Sequence, residues 1–274
     1  MKKYLFILFF VLFPSTVFAA TDTFEGQAIT STTNIEGCTA CDTIEGQVKT
    51  ASGLAVENVW KGTDDVSSPL NVTVAPSVGN LLVVAIFSRN DGGSHTVSDN
   101  IDGTTGWVNA VEYGCYGTHN AAIWYKANIP SGITDIAITC NDVGGYGTGA
   151  VIHEVSGAST STPFTGGEAT SWNDGGTKTT NPQTVTKENA TADSIYFALV
   201  GLVAESTTYT NSINGTGSVG TWISYSSDSY YTGWDGSAGQ DMNVVYQIVS
   251  TSASRIHGWI TDQWYSVALL AIFH

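Results

Sequence analysis

Positive charge is what this chain has least of: nine Lys and Arg stand against twenty-four Asp and Glu in 274 residues. Nucleic acids and anionic membranes bind basic patches, so this scarcity argues against both as partners. Charge of either sign is sparse at 12%, while hydrophobic residues reach 42%. The chain is therefore no acidic disordered tail, and it has apolar material for a sizeable core. Several chemical signatures are missing too. No Gly-x-Ser-x-Gly elbow and no phosphate-cradling loop occurs, which leaves acyl transfer and nucleotide chemistry without a motif to start from. No Glu-x-Asp-x-x-Glu run offers the paired acids of a jelly-roll glucanase, although glycoside hydrolysis needs two carboxylates about 5 to 9.5 Å apart.

Long apolar runs are also lacking, with one exception. Lys2 and Lys3 precede the run Tyr4 to Phe13, and Val17-Phe18-Ala19 follows. This is the layout of a secretory signal cleaved after Ala19. The run is shorter than the roughly 20 residues that a membrane helix requires, so no membrane insertion is expected, and the protein is read as secreted or periplasmic. Export makes disulfides permissible. Of the three connectivities open to four cysteines, the expected one joins Cys115 to Cys140, placed on neighbouring strands, and Cys38 to Cys41. Closing the first loop would restrict the unfolded chain by about 3 kcal/mol. Cys38 and Cys41 have redox or zinc spacing, but no βαβ pattern and no second CxxC accompany them.

What the sequence does contain, it contains twice. Trp60, Pro69 to Val74 and Leu81 to Phe87 return roughly 115 residues later as Trp172, Pro182 to Thr186 and Ile195 to Val200. Trp107 matches Trp222, Ile123-Trp124-Tyr125 matches Val244-Val245-Tyr246, and Val151-Ile152 matches Ala268-Leu269. Short β-branched and aromatic runs separated by Gly, Asn, Asp and Ser predict strand after strand. Ile136 and Ile138 alternate with polar neighbours as on a one-faced strand, whereas Leu81 to Phe87 and Ile195 to Val203 are apolar on both faces, as central strands are. The expected fold is all-β: one antiparallel two-sheet β-sandwich over residues 54–274, its halves (56–157 and 168–274) related by an approximate twofold. Two tandem immunoglobulin-sized sandwiches are the alternative. Residues 20–53 form a Thr-rich arm or hairpin with its own echo, Asp22 to Gln27 and Asp42 to Gln47.

Gly79 to Ala85, Ile123 to Ala127 and Ile152 to Gly157 resemble the framework of concanavalin A-like jelly-roll modules in bacterial surface and phage-associated proteins. The resemblance spans roughly residues 56 to 274 and implies a jelly-roll fold that binds glycans or surfaces. It carries no active-site motif.

Candidate site residues are few. The segment Ser224 to Gly236 sets Tyr225, Tyr230, Tyr231 and Trp234 among Ser, Gly, Asp228 and Asp235. Such rings stack on sugar faces while the acids reach hydroxyls, which makes a glycan or cell-surface polymer the expected partner. Calcium is the ion that suits an acidic exported chain, with Asp99 and Asp102 as its first candidate ligands. Glu154 is read as a carboxylate accepting backbone hydrogen bonds from the adjacent Ser156-Gly157 turn rather than as a catalytic acid. His95, His119, His153 and His257 show no ligand spacing. The leading function is thus a non-catalytic glycan-binding surface module. A structural subunit that self-associates through its strands and a jelly-roll polysaccharide hydrolase or lyase are the rivals.

Overall fold

The computed structural model describes residues 53–64, 69–89, 94–115, 119–140, 147–173, 182–187, 193–204, 223–224, 230–234, 239–250, 255–260 and 265–274, together with the short pairs 43–44 and 47–48. The leader, Cys38, Cys41, Tyr225, Asp228 and Asp235 lie outside these residues. All regular structure among the described residues is strand, and none of it is a helix long and apolar enough to cross a membrane. The second copy of the arm's echo supplies a small antiparallel pair, β1 (Thr43–Ile44) with β2 (Gln47–Val48).

The first half then contributes β3 (Ala55–Asp64), β4 (Leu70–Thr73), β5 (Leu81–Arg89), β6 (His95–Asp99), β7 (Trp107–Cys115), β8 (His119–Lys126), β9 (Asp135–Cys140) and β10 (Thr148–Ser156). The second half contributes β11 (Phe164–Asn173), β12 (Pro182–Lys187), β13 (Ser194–Ala204), β14 (Ile223–Ser224), β15 (Tyr230–Trp234), β16 (Gly239–Val249), β17 (Arg255–Ile260) and β18 (Tyr265–Phe273). No described sheet mixes strands of the two halves. The first half forms a five-stranded sheet, β3-β10-β5-β8-β7, and a three-stranded one, β4-β9-β6. The second forms β11-β18-β13-β16-β14, with β15 also on β16, and the pair β12-β17. Matched through the sequence repeat, the two large sheets have the same strand order.

The large sheets pack face to face, giving the two-sheet sandwich, and each carries its own small sheet outside. Strand β5 shows why. Leu81, Val83, Ala85 and Phe87 point into a core shared with Ile195, Phe197 and Leu199 of β13. Leu82, Val84 and Ile86 point the other way, into a second core with Leu70, Val72, Val97, Ile136 and Ile138 of the three-stranded sheet. A strand covered on both sides must be apolar at every position, which the runs Leu81 to Phe87 and Ile195 to Val200 are. The outer strands need only alternate: β4 buries Leu70 and Val72 and exposes Asn71 and Thr73, and β9 buries Ile136, Ile138 and Cys140. On the far side, Tyr196, Ala198, Val200, Leu270 and Ile272 form a third core, and β12 lies against β11 and β18.

Contacts between the large sheets are reciprocal. Edge strand β7 meets β11 and β18, while β15, at the corresponding edge of the other sheet, meets β3 and β10. Gly201 of β13 is what allows the close approach, since a Cβ there would stand 2.4 Å from the Phe87 ring.

Candidate functional site

Three groups of polar residues converge in the first half, and the aromatic segment lies in the second. Within the segment Ser224 to Gly236, Tyr230, Tyr231 and Trp234 belong to strand β15. Tyr230 is opposite Met242, Tyr231 opposite Asp241 and Trp234 opposite Gly239, with a register shift between Tyr231 and Gly233. The shift has a geometric consequence. Positions three apart on a regular strand fall on opposite faces, but one extra residue restores the phase, so positions 231 and 234 share one phase of the pleat.

Asp99 and Asp102 do converge, but on the protein's own cation. Lys126 Nζ donates to Asp99 Oδ2 at 2.6 Å and to Asp102 Oδ2 at 2.9 Å. Trp107 Nε1 donates to the same Asp99 oxygen at 2.8 Å, and the amides of Ile101 and Asp102 occupy Oδ1 at 2.9 and 2.8 Å. Burial pushes the Asp99 carboxyl up, yet Lys126 and these other donors outweigh it and hold it below the usual range. The two acids named as calcium candidates thus meet in an ion-pair knot around Lys126, buried at Asp99 and open at Asp102. Among the described residues no group of three His, Cys, Asp or Glu is arranged to hold a metal.

Glu154 is fully buried and accepts three hydrogen bonds: Asn58 Nδ2 at 2.7 Å, the Ser77 amide at 2.7 Å and Asn80 Nδ2 at 2.6 Å. Its donors come from β3 and from the connection into β5, not from the Ser156-Gly157 turn expected to supply them. This carboxylate ties the start of the core strands together.

The five-stranded and three-stranded sheets make a small sandwich around the second core; Glu154 is at one end of it, and the opposite end holds the group with most chemistry. Ser88, Asn120 and Thr148 are side by side on the large sheet, since Ser88 is opposite Thr148 on one flank and Asn120 on the other. His95 and Cys140 are opposite each other on the small sheet. His95 Nε2 lies 2.7 Å from Ser88 Oγ, and its Nδ1 lies 3.2 Å from Glu112 Oε1. Glu112 is fixed in turn by Asn120 Nδ2 at 2.7 Å and Asn109 Nδ2 at 2.6 Å. The Cys140 thiol shares a 3.1 Å hydrogen bond with Thr148 Oγ1 and also hydrogen-bonds His95 and Ser88. Burial opposes charge on His95, but Cys140 and Glu112 more than compensate and raise its pKa to about 9. Burial likewise pushes the Cys140 thiol and the Glu112 carboxyl up, and their bonds to His95 bring both below their usual values.

Cys140 thus carries a thiol rather than half of a disulfide, which corrects the expected bridge to Cys115. Cys115 is opposite His119 in the large sheet, whereas Cys140 is opposite His95 in the small one. Of the other histidines, His119 stacks on Phe87 at 6.0 Å, and His153 faces Phe197 and Tyr246 between the large sheets at 4.9 and 6.1 Å. Burial, then the charge of Lys61, drives the His153 pKa down to about 3. Ser88, Glu112 and Lys126 escaped the sequence reading. The one available signal was a lone charge ending an apolar strand, as in Ala121 to Lys126. Comparison with known proteins assigns no family: no family model, no curated protein and no solved structure matches the chain.

Proposed function

We propose that this protein is an exported surface module that binds glycans through its second half, of the concanavalin A-like kind its framework resembles. The observation that carries this reading is the bulged aromatic strand β15, which sets Tyr231 and Trp234 in one phase of the pleat beside Asp241. Tyr and Trp at positions of one phase are the residue types on which a pyranose ring stacks, and an acid at the paired position is the type that takes its hydroxyls. The charge balance agrees, since a chain this poor in Lys and Arg suits neutral or cationic polymers better than phosphate backbones. Asp99, Asp102 and Glu154 of the first half are engaged by internal donors, so none of the three is offered as a member of a polysaccharide-cleaving pair.

The test uses the chain from Ala20 onward on a polysaccharide panel, with Tyr231→Ala and Trp234→Ala singly and together. The expected result is retention on at least one glycan, with affinity falling about tenfold or more in the double variant, as loss of stacking anchors produces. Retention unchanged in the double variant, or no retention of the parent protein on any glycan, overturns the reading. Export itself is checked by sequencing the N-terminus of protein recovered from outside the cytoplasm, which should begin at Ala20.

A further inference from the structure

We propose that Cys140, His95 and Glu112 constitute a nucleophilic site that accepts acyl groups from esters or thioesters. The three parts have the relationship such chemistry requires: a nucleophile in contact with a base, and a base oriented by a third group. Glu112 accepts from His95 Nδ1 and is itself held by Asn109 and Asn120. Nε2 is thereby turned to Ser88 Oγ, whose hydroxyl reaches Cys140 as well. Six different strands bring these groups to one end of the small sandwich. Glu112, 18% exposed in its side chain, stands on the solvent side, and Cys140 retains 7% exposure.

Ser88 is the competing nucleophile, and the charge state of the base decides between them. A hydroxyl needs a neutral imidazole to take its proton, but His95 stays protonated up to about pH 9. An imidazolium instead favours a thiolate beside it. Ser88 is therefore the bridge and Cys140 the attacking atom. In the reaction the Cys140 thiolate bonds to the substrate carbonyl carbon and the π pair moves onto oxygen. When that pair returns, the bond to the leaving group breaks, and the departing alkoxide or thiolate takes the proton from His95 Nε2. A water molecule then gives a proton to the neutral Nε2 and adds to the acyl-cysteine carbonyl. Collapse expels the Cys140 thiolate. Ester and water have become acid and alcohol, with the ion pair restored and no oxidant used.

The experiment alkylates the folded chain from Ala20 onward with iodoacetamide between pH 5.5 and 9.5 and follows the Cys140 peptide by mass spectrometry. In parallel, the protein is mixed with p-nitrophenyl acetate. The expected results are a Cys140 alkylation rate at pH 6 within a few-fold of that at pH 8.5, and an acetyl group on Cys140 released with one equivalent of nitrophenolate. His95→Gln should slow alkylation at pH 6 about tenfold or more, because it leaves an ordinary thiol of pKa near 8.5, while the rates converge at pH 9.5. Ser88→Ala, which removes the bridge, should slow acetylation but leave the acetyl group on Cys140, and Cys140→Ser should abolish the acetyl adduct. Glu112→Gln, which removes charge but keeps shape, should shift the profile in the same direction as His95→Gln, and it serves if His95→Gln does not fold. Finding Cys140 in a disulfide, a Cys140 unlabelled at every pH in folded protein, an ordinary thiol profile, or acetylation on Ser88 in place of Cys140 overturns the proposal.

Discussion

The two faces of the five-stranded sheet are built on different principles, although a single set of strands makes both. On β10, His153 and Glu154 are chain neighbours and equally buried. His153 looks toward the second half, and its Nδ1 has no hydrogen-bond partner among the described residues; Glu154 looks toward the small sheet and has three donors. The same division separates the two most perturbed histidines. His153, among Phe197 and Tyr246, is driven down to about 3, whereas His95, with a thiol and a carboxylate for company, rises to about 9. Burial disfavours charge in both cases. Partners, not depth, decide which histidine carries a proton. The face between the halves is a packing surface, and the face inside the first half is a polar lattice with apolar filling.

The lattice should be the more fragile of the two when one member is removed. Replacing Lys126 by Met leaves the Asp99 carboxylate buried without its counter-charge, and stability should fall by about 3 to 5 kcal/mol, measured by urea unfolding at pH 7. A loss below 1 kcal/mol would show that the knot is a surface ion pair. The packing face should reveal itself through pH. The folded pKa of His153 lies below the unfolded value of 6.5, so the unfolded chain binds the extra proton; stability is complete above pH 6.5 and declines as pH falls toward 3. At pH 4.5 the penalty should be about 2 to 3 kcal/mol, and His153→Leu should remove it while changing stability little at pH 7. Equal acid slopes in parent and variant would contradict the assignment. His95 has the opposite sign, since its contribution is present below pH 6.5 and lost as pH rises through about 9. The smallest effect belongs to shape alone. Gly201→Ala sets a methyl group against the Phe87 ring and should cost about 2 kcal/mol with no dependence on pH between 6 and 9.

Much of the architecture was legible because burial on two faces leaves a mark in the sequence. Leu81 to Phe87 and Ile195 to Val200 are apolar at every position only because a layer lies on each side, and Ile136 and Ile138 alternate because only one does. The polar sites were less legible, for a consistent reason: their partners are remote in sequence. Asp99 and Asp102 are close along the chain and so suggested a metal, but the group that pairs them, Lys126, comes from another strand of the neighbouring sheet. Glu154 finds its donors 74 to 96 residues away. Cys140 and Cys115 seemed adjacent because their strands follow one another closely, but a change of sheet between them gave Cys140 a histidine as neighbour.

The segregation of the sheets by half also sets a clock on assembly. Every described strand from β3 to β10 finds its ladder partners before Ser156, so the first half can close all its backbone bonds while the rest of the chain is still emerging. It cannot hide Leu81, Val83, Ala85 and Phe87, which wait for Ile195, Phe197 and Leu199 to cover them. During that interval the nascent protein presents a broad apolar surface. An identical surface on a second chain could occupy it as readily as the second half. Dilution of the unfolded chain would then favour each half meeting its own partner first.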